Sequence, residues 1–291
     1  MTQGLLELLP QAPPQKAGWP WTEEVKESIY SAYTELPKIS IITISFNQSQ
    51  FLEETIRSVL LQNYPNLEYI VIDGASTDGS VDIIKKYERW MAFWISRKDR
   101  GPADALNHGV DKCTGDFVCY LNSDDIILHS GISRFIKHFM RDKSCDVYTG
   151  HGMILNAQSD NVKRIYSNTW KISTYLHGQC SIVQQATFIR MSKLNETNGF
   201  NTANHTCWDG ELLVDLANKG ANFKKMNDFI GGFRIHDLSI TGSQSSRNSY
   251  LEDVKRIRRN NGVYKVKSSM ARLHAFLDDP LILLKRFMAK L

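Results

Sequence analysis

Residues 38–79 read "KISIITISFNQSQFLEETIRSVLLQNYPNLEYIVIDGASTDG", and this stretch decides the fold class. Residues 38–45 are a β-branched run of strand length. Residues 51–62 then place Leu52, Ile56, Val59 and Leu60 at helical spacing. A second buried strand is predicted over 67–72, and it runs into a polar turn, Asp73 to Gly79.

Outward from there the alternation continues. A helix is predicted over 81–87, a short strand at "FWIS" (93–96), and a helix opening at Pro102, where the first turn tolerates proline. "FVCYL" (117–121) supplies a fourth strand, and a further helix follows near 130–140. Strand and helix in turn, with short links, predict an α/β protein with a Rossmann-like, mostly parallel open sheet and helices on both faces. Residues 1–37 carry Pro10, Pro13, Pro14 and Pro20 with Trp19 and Trp21, and read as an extended arm that pins its tryptophans to the body.

Composition narrows the class. The chain has 291 residues, enough for one large core with terminal additions. Purely apolar runs such as Leu281 to Leu284 are far short of the roughly 20 residues a membrane-spanning helix needs. No basic and apolar leader pattern opens the sequence. Five cysteines without CxxC spacing suggest a reduced, cytoplasmic protein. The net charge is +4, but ten Lys or Arg from residue 251 onward face four acids, which leaves the preceding body slightly acidic. The end of the chain, "DDPLILLKRFMAKL" (278–291), has the pattern of a basic amphipathic helix. An anionic membrane surface, the protein's own body and a second subunit are its candidate partners.

In an open parallel sheet, ligands bind beyond the carboxyl ends of the strands. Four polar clusters fall there: Ser45-Phe46-Asn47, Asp73 to Gly79, Arg97 to Gly101, and Asn122-Ser123-Asp124-Asp125. Each alone is compatible with ordinary turn and cap chemistry. Together they suit a nucleoside diphosphate with a divalent metal. Mg2+ and Mn2+ prefer oxygen ligands and are commonly held by one or two carboxylates plus substrate phosphates. Asp124 and Asp125 are the candidate metal ligands, Asp73 a hydrogen-bond acceptor for base or ribose, and Arg100 a phosphate contact. For Asp125 the competing reading is a cap on the helix that follows.

The segments "SIITISFNQSQFLEETIRSVLLQNYPNLEYIVIDGASTDGSVDIIKKY" and "DRGPADALNHGVDKCTGDFVCYLNSDD" closely resemble the nucleotide-binding half of family 2 glycosyltransferases, which have the GT-A fold. "QQATFIR" (184–190), "NGF" (198–200), "WDGELLVDLANKG" (208–220) and "FRIHDLSITG" (233–242) resemble their acceptor half. The likeness is closest to the bacterial branch that builds surface polysaccharides. It divides the chain into an arm (1–37), a nucleotide-sugar-binding half (38–127), an acceptor-binding half (128–243) and a basic helical tail (244–291).

What the resemblance implies is an inverting transfer of a sugar from a nucleotide-sugar, UDP by family habit, to a glycan or lipid-linked glycan acceptor. By matching position, Ser45, Asn47 and Asp73 line the nucleoside pocket, and Asp99, Arg100 and Asp104 face the donor. The family's Asp-x-Asp metal motif has Asn122 in its first place here and Asp124 in its second, with Ser123 between them and Asp125 a lesser candidate. Asp209 matches the general base, Glu211 is its substitute, and His236 lies in a segment that closes over the diphosphate in relatives. Asp209 also reads as a plain acid in a helix's first turn, and His236 as a packed side chain. Nucleic acid is not among the expected partners.

Two other functions compete. A sugar nucleotidyltransferase would want a glycine-rich basic loop after the first strand, and "SFNQSQ" has neither glycine nor a basic residue. A non-catalytic nucleotide- or glycan-binding protein would be expected to lack Asp209. A dinucleotide dehydrogenase is disfavoured, because no GxGxxG follows a predicted strand.

Overall fold

The computed structural model describes residues 4–236 and 246–264. In chain order the elements are α1 (Leu5–Leu8), β1 (Ile39–Ser45), α2 (Ser49–Leu60), β2 (Leu67–Asp73), α3 (Ser80–Tyr87), β3 (Phe93–Ser96), α4 (Pro102–Val110) and β4 (Phe117–Asn122). Then follow β5 (Ile126–Ile127), α5 (Gly131–Arg141), β6 (Val147–Leu155), β7 (Asn161–Ile165), α6 (Ile172–Leu176), β8 (Thr187–Arg190), α7 (Met191–Leu194), α8 (Trp208–Asn218), β9 (Phe223–Arg234) and α9 (Ser246–Asn260).

One sheet carries all of these strands, in the order β3-β2-β1-β4-β8-β6-β9-β5, with β7 paired to β6. β3, β2, β1 and β4 are parallel, as the alternating pattern predicts. Beyond β4 the sheet is mixed. β8 is antiparallel to both β4 and β6, β9 is parallel to β6, and β5 is antiparallel to β9. The sheet is therefore mostly parallel only in its first half.

Every residue of β1 is buried, as expected of a central parallel strand with helices on both faces. Its side chains divide by the strand period. Ile39 and Ile41 join a core with Leu52 and Ile56 of α2, while Ile42 and Ile44 join the opposite core with Leu106 of α4. The parallel register sets Ser45, Asp73 and Ser96 side by side, and Ile44 beside Asn122. That register brings four polar strand ends to one edge.

The arm is only partly extended, since α1 and a 3-10 turn at Glu27–Tyr30 interrupt it. The Trp19 indole donates to Ile127 O at 2.9 Å. Arg57 of α2, 1% exposed, donates to Pro10 O, Pro20 O and Trp21 O. All five cysteines are free thiols. Among the described residues no helix is long and apolar enough to cross a membrane. The 278–291 segment read above as an amphipathic helix lies outside the described residues.

Candidate active site

A cavity of about 680 Å3 opens at the carboxyl ends of the parallel strands. Ser45, Gly74, Asp99, Asn122, Ser123 and Asp124 line it from the first half of the chain. Val183, Gln185, Trp208, Asp209 and Phe233 line it from the second half.

Ser45 ends β1. It is buried, and its Oγ has no hydrogen-bond partner. Asp99 donates nothing but accepts the Gly101 N–H at 2.8 Å, and it packs against Gly74. A Cβ on Gly74 would stand 2.9 Å from Asp99 Oδ2 and 3.2 Å from the Phe46 ring, so any side chain here would push the Asp99 carboxylate aside.

Five expected donor contacts, Asn47, Asp73, Arg100, Asp104 and His236, do not line the cavity. Asp73 is fully buried, and its carboxylate accepts from Ser76 N–H, Ser76 Oγ and Ser96 Oγ at 2.9, 2.5 and 2.6 Å. Asn47 sits in the left-handed region, donates its N–H to Ser76 Oγ and accepts the Thr77 N–H. Both residues therefore shape the loops at the strand ends from behind the cavity. Arg100 and Asp104 are occupied by each other, at 2.5 Å. The Arg100 hydrogen bond holds the Asp104 carboxyl below the usual carboxylate range.

The opening of α5 corrects one expectation. Its first residue is Gly131, its N-cap is Ser130, and no side chain caps it, so Asp125 is not a helix cap. Asp125 is instead fully buried behind the cavity wall. Its Oδ1 accepts the Arg234 N–H at 2.9 Å, and its Oδ2 accepts Gln185 Nε2 at 2.6 Å and Asn122 Nδ2 at 3.3 Å. Burial, reinforced by the neighbouring Asp124 charge, pushes its pKa well up. A carboxyl so enclosed is not a metal ligand.

Asp124 does reach the cavity, and its Oδ2 stands 3.0 Å from His236 Nε2. His236 packs on the Phe51 ring, centroid to centroid 4.7 Å. Among the described residues no group of three or more His, Cys, Asp or Glu is placed to hold an ion unaided. One carboxylate and one imidazole nevertheless form a donor set that Mn2+ accepts when a diphosphate supplies further oxygens. The lining charges agree: three carboxylates (Asp99, Asp124, Asp209) face one ammonium (Lys98), so an entering diphosphate gains from a cation. The residues thus fit a divalent ion bound jointly with substrate.

Asp209 lies in the first turn of α8, half-buried in the cavity wall. Burial pushes its pKa above the usual 3.8, partly offset by the Gly210 N–H and its own. Its surroundings are apolar and aromatic. A Cβ on Gly210 would lie 1.6 Å from the Tyr175 hydroxyl, so the missing side chain lets Tyr175 press onto the helix beside Asp209. Glu211 is committed elsewhere: Arg256 of α9 holds it at 2.5 and 2.9 Å, with Asn201 and Asn204 on the same carboxylate. Burial alone would raise its pKa, but these partners win and lower it. Glu211 is therefore not available as a substitute base. Cys207, next to Trp208, is pushed up to about 12 by burial and stays protonated.

Sequence reasoning put Lys98 in a strand-end cluster without a role of its own, and missed Gln185, Trp208, Phe233 and Arg234. Gln185 and Arg234 fall within stretches singled out for their family likeness. An arginine closing the run "FIGGF" is the signal that was overlooked, since a charge at the end of a buried strand needs a partner.

The model of the family described as "Glycosyl transferase family 2" matches residues 40–194. The putative teichuronic acid biosynthesis glycosyltransferase TuaG of Bacillus subtilis (strain 168) is 26% identical over 212 residues, covering 72% of this chain and 83% of that protein. Among solved structures, S. aureus TarS 1-349 in complex with UDP-GlcNAc superposes with a TM-score of 0.61 at 16% identity, covering 80% of this chain and 69% of that one. The mannosyltransferase PcManGT from Pyrobaculum calidifontis, in complex with GDP-Man and Mn2+, gives 0.58 at 18% identity, covering 88% and 74%. These likenesses establish the GT-A fold.

Proposed function

The chain belongs to glycosyltransferase family 2, and from that premise we propose that it is an inverting transferase acting in bacterial surface polysaccharide synthesis. Its donor is a nucleoside-diphosphate sugar, UDP by preference, and its acceptor a hydroxyl of a glycan or lipid-linked glycan. The observation that carries this reading is that Asp209 and Asp124, 85 positions apart by their numbers, line one cavity. The likeness to a teichuronic acid glycosyltransferase supports the polysaccharide assignment. The UDP-GlcNAc of TarS and the GDP-Man with Mn2+ of PcManGT support a nucleotide-sugar and a divalent ion.

Ser45, Asp99, Asn122 and Ser123 hold the donor, while Asn47 and Asp73 shape the loops that present them. Arg100 and Asp104 brace the start of α4. Asp209 takes the proton from the acceptor hydroxyl as its oxygen bonds to the anomeric carbon and the bond to the diphosphate breaks. A positioned base of this kind is worth roughly 10^2- to 10^4-fold in rate. The raised pKa of Asp209 brings its proton affinity nearer to that task. Asp124 and His236 would hold Mg2+ or Mn2+, which when bound supplies positive charge beside the departing diphosphate. Direct displacement needs no protein nucleophile, and the protonated Cys207 agrees with that.

The proposed site of action is the cytoplasmic face of the membrane, where a lipid-linked acceptor would be presented and where the basic tail would meet anionic lipid. The test is a panel of UDP-, GDP- and other nucleotide-sugars assayed for hydrolysis and binding with Mg2+ or Mn2+. Metal-stimulated turnover of one of them is the expected result. A panel in which no nucleotide-sugar is bound or hydrolysed would overturn the reading.

A further inference from the structure

Resting on the reading of Asp124 and His236 just given, we propose that Arg234 is a positioning residue for the diphosphate end of the site. It fixes the turn carrying Asp124 against the strand end carrying His236.

Arg234 closes β9 in register with Leu155 of β6, and its side chain is fully buried. Its Nε donates to the Asp124 carbonyl at 2.7 Å, and its backbone N–H to Asp125 Oδ1 at 2.9 Å. Nη1 donates to Asn156 O at 3.0 Å and to Ser159 Oγ at 2.9 Å. Nη2 stands 3.3 Å from Glu54 Oε2, the same oxygen that accepts the Ser159 hydroxyl at 2.8 Å. The guanidinium also lies over the Phe51 ring at 4.7 Å, the ring on which His236 packs. One buried cation thus joins α2, the β4–β5 turn, the β6–β7 turn and the end of β9.

Where this cation bonds matters for its role. It grips the main chain of Asp124 and leaves that residue's carboxylate to the cavity and to His236. Its charge is balanced by Glu54, away from the cavity lining. The arrangement orients an acidic ligand without neutralising it. Lysine cannot reproduce it, because a single ammonium lacks the planar fork that reaches acceptors on several sides at once.

The test uses the full chain and UDP as the probe, titrated by calorimetry with and without Mn2+. For Arg234→Lys, UDP affinity without metal is expected to stay within about twofold, while the gain on adding Mn2+ shrinks roughly 10- to 100-fold, as when an outer partner of a metal ligand is lost. Ser159→Ala removes one guanidinium contact, together with the hydroxyl's bond to Glu54, but keeps both buried charges. It is expected to fold and to lose the Mn2+ gain by roughly 2- to 10-fold, the worth of one hydrogen bond. If Arg234→Lys is unfolded by circular dichroism, Ser159→Ala decides alone. An unchanged Mn2+ gain in the folded variants, or an equal fall with and without Mn2+, would overturn the positioning role while leaving the metal pair standing. A parent chain that binds UDP no better with Mn2+ would instead overturn the metal reading, and this assignment with it.

Discussion

Asp124 Oδ2 and His236 Nε2 stand 3.0 Å apart although 112 positions separate them in the chain. Asp124 follows β4 of the parallel half, and His236 follows β9 of the mixed half. Their meeting closes the sheet's two halves onto one point, where the diphosphate is proposed to lie. Asp124→Ala is therefore expected to abolish the Mn2+-dependent part of UDP binding. His236→Ala should weaken it by roughly 10-fold, about 1.4 kcal/mol. Calorimetry giving equal UDP affinities with and without Mn2+ for the parent and both variants would contradict the pair's role.

Asp209 carries two opposed pH dependences. As a base it works ionised, so kcat/KM should fall as pH drops through its raised pKa, at a higher pH than an exposed aspartate would show. For stability the sign reverses. The folded chain binds this proton more tightly than the unfolded chain, so the contribution of Asp209 to stability falls as pH rises from 3.8 through the raised value. Asp209→Asn is expected to lose roughly 10^2- to 10^4-fold in transfer, to bind UDP normally, and to melt slightly higher than the parent at neutral pH. A pH–rate profile and paired melting curves check both halves.

Gly74 sets how closely Asp99 approaches the donor region. Gly74→Ala places a methyl group 2.9 Å from Asp99 Oδ2, and the carboxylate must swing away. Donor KM should rise roughly 3- to 10-fold, about 0.7–1.4 kcal/mol, with kcat and melting temperature little changed. Unaltered steady-state kinetics would remove Asp99 from donor binding.

The Glu211–Arg256 pair ties α9 to α8 next to Asp209. Arg256→Ala leaves a largely buried carboxylate on two asparagines, at a cost of about 1–3 kcal/mol. Because the folded pKa of Glu211 is depressed, this stabilisation is full above the usual 4.5 and disappears as pH falls through the lower folded value. Urea titrations of parent and variant at neutral and acidic pH should converge on acidification. A constant difference would point to another cause.

The first half of the fold was legible because its information is local. Buried runs such as Ile39–Ser45 and Leu67–Asp73 and the helical spacing of α2 each declare themselves within a dozen residues, and the parallel order follows from their alternation. The second half was not. β8 and β9 are defined by partners such as β4 and β6, far away in the chain, and no periodicity in "TFIR" announces an antiparallel strand between them. The site shows the same division. Asp124 and Asp209 were found from their motifs, and both reach the cavity. The direction in which Asp73, Arg100 and Asp125 point depends on Ser96, Asp104 and Arg234, and spacing along the chain does not encode those partners.

The guanidinium of Arg57 is satisfied almost wholly by carbonyls from the first 21 residues. A polypeptide begun at Lys38 would keep α2 but strip that cation of most of its acceptors and uncover the aromatic and aliphatic surface now covered by Leu9, Trp19, Val25 and Tyr30. Such a truncated protein is expected to precipitate or to be digested quickly. The leading segment therefore belongs to the packed body, and shortening it is a poor route to a minimal catalytic unit.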